Sequence, residues 1–96
     1  MLTITQAPAG SDAATATAND SDNTVTLDYG TSSLTLSTLP RPGNYFETVF
    51  VADGVLGFVP GAPAVIAAHL CINQTEPLLT LYPLTPVTPA NSTHLI

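Results

Sequence analysis

The sequence predicts an all-β domain: a small β-sandwich or barrel of six to eight short strands, with a flexible N-terminal arm and an extended Pro-rich C-terminal arm. Three observations predict it. Short apolar–polar alternations with the two-residue period of a strand recur along the chain. Gly, Pro, Asn and Asp punctuate them at short intervals. The polar residues are mainly Thr, Ser and Asn, and Thr favours strands because its branched Cβ suits a pleated surface. A chain of 96 residues forms one domain with a modest core.

Leu2-Thr3-Ile4-Thr5 alternates and predicts a short edge strand. From Gln6 to Asn23 the residues are small and polar, with nothing large enough to fill a core. A flexible arm or long loop is expected there. Thr24 to Tyr29 alternates again, with Val25, Leu27 and Tyr29 on one face. After the turn-rich Gly30 to Ser33, Leu34 and Leu36, with Leu39 as a further candidate, predict a second strand of the same hairpin. Pro40 and Pro42 then interrupt the sheet, because proline cannot donate a ladder hydrogen bond.

Asn44 to Ala52 is rich in aromatic and β-branched residues and predicts a central strand buried on both faces near Val49, Phe50 and Val51. Asp53-Gly54 follows, and then the apolar run Val55 to Val59. Asp-Gly between two apolar runs is a hairpin signal, since a type I′ turn needs positive φ at both central positions. Ala64 to Ile72 reads either as a helix opened by Pro63 or as a strand. The all-β surroundings favour the strand. Leu78 to Tyr82 is a further strand. Pro83, Pro86 and Pro89 then recur at every third residue, the period of a polyproline II helix, and lead to the apolar tip Leu95-Ile96.

Composition excludes several functions. Arg41 is the only strongly basic residue; lysine is absent, seven carboxylates give a net charge of −6, and 8% of residues are charged. Average soluble domains carry about 25% charged residues. One arginine cannot neutralise a phosphate backbone, so nucleic acid is not expected as a direct partner. An anionic membrane surface is excluded on the same ground. No apolar run reaches the length of a membrane span, and the N-terminus carries no signal peptide; synthesis in the host cytoplasm is expected.

Candidate chemical sites are few. His69 and Cys71, two apart, share a face if they lie on a strand. Zinc needs three or four ligands, and the other histidine, His94, is in the C-terminal arm. Cys71 therefore reads as a core cysteine. Asn19 to Asn23 alternates oxygen-bearing side chains as a calcium loop does, but Val25 and Thr31 stand where that pattern needs Gly and Glu. The triplets starting at Asn19, Asn73 and Asn91 fit the glycosylation pattern at a frequency that chance explains in a Ser/Thr-rich chain. Catalytic residues, metal ligands and cofactor sites are not expected, and enzymatic activity is not either.

What remains is an assembly module. Lysine is a common guard of sheet edges, and its absence implies edges covered by partners, by proline or by barrel closure. The expected partners are copies of the chain, as a trimer or higher, and a major capsid or other shell protein. The expected role is a structural virion component, a small decoration or cement protein; the alternative is a glycan- or receptor-binding module of a fibre. Interface residues are expected at Arg41, Pro83, Pro86, Pro89, Leu95 and Ile96.

Overall fold

The computed structural model describes residues 2–6, 13–41, 43–60, 63–73 and 76–84. Among these, every regular element is a strand: β1 (Thr3–Gln6), β2 (Thr15–Asn19), β3 (Thr24–Tyr29), β4 (Ser32–Ser37), β5 (Tyr45–Ala52), β6 (Val55–Gly57), β7 (Ala64–Ile72) and β8 (Pro77–Leu81). They form a five-stranded sheet in the order β1-β8-β7-β5-β6 and a three-stranded sheet in the order β2-β3-β4. All pairings are antiparallel except β1 with β8. The all-β expectation holds, and Ala64–Ile72 is strand rather than helix.

Turn chemistry sets the hairpins. Asp53 and Gly54 both have positive φ, 52° and 76°, between paired Ala52 and Val55, as a type I′ turn requires. Gly30 has φ 60° at the first position of the two-residue loop joining Tyr29 to Ser32. Asn23, at φ 55°, ends the longer β2–β3 turn. Pro77 opens β8, a strand position that proline tolerates.

The two sheets share one core. Val25, Leu27 and Leu36 from the smaller sheet meet Val49, Leu70, Ile72, Leu79 and Leu81 from the larger. The sandwich is laced at one corner, where the Leu56 amide of β6 donates to Ser32 Oγ of β4 at 2.9 Å. Ala67 is a bulge. Val49 pairs with Ala68, whereas Phe50 pairs with Ile66, so Ala67 has no partner on β5. Its carbonyl instead accepts the Tyr82 amide at 3.0 Å, which ties down the chain as it leaves β8.

Two expectations are corrected. The stretch from Gln6 to Asn23 is not all arm: Thr15–Asn19 is a full strand, in register with β3 from Thr15 opposite Asp28 to Asn19 opposite Thr24. Its small residues do not build a core, but they fit one already built: Ala14 is buried, and Ala16 packs on the buried cluster. Nor is β5 buried on both faces. Val49 is buried, but Phe50 and Val51 are only half-buried, and Phe46, on the same outer side as Phe50, is 58% exposed, because no second layer lies on that side of the five-stranded sheet among the described residues.

Candidate interaction surface

Strand alternation gives each sheet an outer face, and the two outer faces are chemically opposite. On the three-stranded sheet, paired residues line up as Thr17–Thr26–Thr35, Thr15–Asp28–Ser33 and Asn19–Thr24–Ser37. The face is nearly all hydroxyl. Thr26 and Thr35 bond side chain to side chain at 3.1 Å. This is an ordinary polar-out face.

The outer face of the five-stranded sheet mixes exposed apolar side chains with a row of threonines and a histidine, and holds no Asp, Glu, Lys or Arg. One row runs Phe46–Cys71–Leu78–Thr3, the next Thr48–His69–Thr80–Thr5, and Phe50 pairs with Ile66. Val55 extends it across β6. Exposure is 58% at Phe46, 60% at Val55, 43% at Ile66 and 39% at Leu78. None of these positions is Asp, Glu, Lys or Arg. The described carboxylates lie elsewhere: Asp20 and Asp22 in the β2–β3 turn, Asp28 on the opposite sheet, Asp53 in the β5–β6 turn, Glu76 in the β7–β8 turn. Glu47 pairs with Leu70 and so sits on the core-facing side of β5.

The bulge enlarges the apolar face. Counting back by twos from buried Ile72 and Leu70 reaches Ala68 and then Ile66, which places Ile66 in the core. The extra residue at Ala67 shifts the parity, so that Ile66 stands opposite Phe50 on the outside.

Four of the polar side chains of this face, Thr5, Thr48, His69 and Thr80, are partnered within it. Thr48 Oγ1 and His69 Nδ1 are 3.0 Å apart, the His69 ring stacks on Phe46 with centroids 5.7 Å apart, and the Thr5 and Thr80 hydroxyls are 3.3 Å apart. Covering the face therefore strands few donors or acceptors. His69 and Cys71 do share a face, as their spacing predicts, but Cys71 is a half-buried residue of the outer face and not of the core.

The remaining sequence-predicted positions are placed as follows. The Arg41 guanidinium lies over the Tyr45 ring, 3.8 Å from its centroid. Pro83 is half-buried, and the next residue, Leu84, packs against the core cluster. Pro86, Pro89, His94, Leu95 and Ile96 lie outside the described residues. In the Asn19–Asn23 turn the oxygens cap the loop: Asn19 Oδ1 accepts from Ser21 Oγ at 2.8 Å and the Asp22 amide at 3.4 Å, and Asn19 Nδ2 donates to Asp22 at 3.0 Å. No cluster of three or more His, Cys, Asp or Glu that could hold a metal ion occurs among the described residues.

The sequence signal for the apolar face was the aromatic and β-branched content of residues 44–52 and 64–72. That content does not distinguish a buried face from an exposed one at residues 49–51, because exposure depends on whether a second layer exists. Comparison with protein-family models, with curated proteins and with solved structures gives no match.

Proposed function

We propose that this chain is a structural component of a protein shell, a small decoration or cement protein of a virion. The observation that carries the proposal is the uncharged apolar outer face of the five-stranded sheet. A typical monomer's largest apolar patch is about 300–600 Å² and often functional. On this domain exposed Phe46, Val55, Ile66 and Leu78 share one sheet face without Asp, Glu, Lys or Arg, opposite a face that is nearly all hydroxyl, which suits a module with one side docked and one side in solvent.

The work is mechanical. A shell protein's neighbours are held together by surface that the small domain buries against them, and the Pro-rich C-terminal residues add contacts to adjacent subunits. An acidic chain without lysine also lacks the cations that binding packaged nucleic acid would need. A sugar-binding module fits the face less well, because the groups that would bond sugar hydroxyls there are threonines and a histidine largely engaged with one another.

The test is sedimentation with shells. The neighbouring reading frames supply the candidate shell protein; shells assembled from it without this chain are mixed with the purified protein and pelleted. Saturable co-sedimentation and greater heat resistance of the shells are expected. A chain that stays in the supernatant with each shell-forming neighbour overturns the proposal.

A further inference from the structure

We propose that two copies of this chain pair face to face through the outer surfaces of their five-stranded sheets. This rests on the same face being an interface: in the free protein its occupant is a second copy, which a shell surface displaces on docking.

Charge selects the occupant. Each copy carries a net charge of −6, so most approaches between copies are repulsive. The outer sheet face is the approach that brings no described carboxylate into the contact, since the acidic residues sit in the turns, on the opposite sheet or on the core side. A basic partner would find no carboxylate there to pair with, whereas an identical apolar face offers the same lack of charge. The hydrogen bonds of Thr48 with His69 and of Thr5 with Thr80 run laterally within the face and survive covering.

Area permits it. Strands β1, β8, β7 and β5 at about 4.8 Å spacing give a face roughly 19 Å wide, and the eight residues of β5 span about 27 Å. Because β1 and β8 hold four and five residues against nine in β7 and eight in β5, the face covers about 420 Å² per copy and about 850 Å² in total, the size of a weak, reversible contact. Sheets stacked face to face do so at about 10 Å with side chains interdigitated. Phe46, Ile66 and Leu78 are the projecting residues that would interdigitate. The contact is isologous, so it closes as a dimer, a lower order than the trimer expected from sequence.

The experiment is sedimentation velocity of the full chain over a range of concentrations, with three variants. Wild type is expected to move from monomer to dimer. Phe46→Glu and Leu78→Glu each enter a two-fold interface twice and are expected to weaken dimerisation about tenfold or more. Thr35→Glu adds the same charge to the hydroxyl face and is expected to leave dimerisation within about threefold of wild type. Far-UV circular dichroism of the variants reports the fold. Alkylation of Cys71 is expected to slow as protein concentration rises.

Equal weakening by Thr35→Glu, or dimers unaffected by both Phe46→Glu and Leu78→Glu, overturns the pairing. So does a wild type that stays monomeric, whether Cys71 is open or protected at all concentrations. If that monomer still binds shells and Phe46→Glu does not, the face remains the shell contact and only the self-pairing is lost.

Discussion

Arg41, the chain's only Arg or Lys, lies over the Tyr45 ring, and Tyr45 in turn packs on the core cluster. Arg41 is half-buried, and its guanidinium has an aromatic partner within the domain. Arg41→Ala is expected to lower stability by about 0.5–1 kcal/mol, the size of a partly exposed cation–π contact, and to leave association unchanged. Urea melts and sedimentation check it; lost association without lost stability would return the guanidinium to a partner. A deeper loss is expected at Leu70, buried between β5 and β8: Leu70→Ala should cost about 2–5 kcal/mol in the same melts, a large share of a domain this size. At this scale the sequence was legible where a residue's need is local. Asp53-Gly54 had to turn because both positions require positive φ. The partner of Arg41 was not legible, because a lone guanidinium is satisfied equally by a carboxylate, a ring or another chain.

Strands carry the next lesson. Residues 24–29 and 32–37 were readable as a hairpin because large and polar residues alternate there with little ambiguity. Residues 15–19 alternate too, but with Ala on the inside, and small residues give too little contrast to register as a strand. The face of Ile66 was hidden by a different cause, since a bulge adds a residue without any signal in the alternation around it. The resulting elements present unlike surfaces, and substitution should separate them. Thr17, Thr26 and Thr35 lie in one row across the hydroxyl face. Thr17→Lys and Thr35→Lys, on the two outer strands of that sheet, are expected to change stability by no more than about 0.5 kcal/mol each, the usual range for surface positions. Their effect on dimerisation should be nil or slightly favourable, because each reduces the negative charge of the whole. Urea melts read the first, sedimentation the second. A loss of association in either variant would place a contact on the wrong side of the sandwich.

For the molecule as a whole, charge and apolar surface act at different ranges. The net charge of −6 is a long-range repulsion between copies, and the uncharged sheet face is a short-range attraction. Salt distinguishes them. The Debye length falls from roughly 30 Å at about 0.01 M to about 3 Å at about 1 M, so added salt removes the repulsion and leaves the apolar contact in place. Pairing through the sheet face is therefore expected to strengthen as sodium chloride rises over that range, by roughly tenfold or less, and then to level off once the charges are screened. An interface built on Arg41 and a partner's carboxylate gives the opposite sign, weakening steadily with salt. Chloride is the anion to use, because sulfate strengthens apolar contacts on its own account and would blur the plateau. Sedimentation at three or four salt concentrations separates the cases. The sign of the slope says whether the missing cations of this chain are a barrier that its apolar face overcomes or whether its single cation is the anchor.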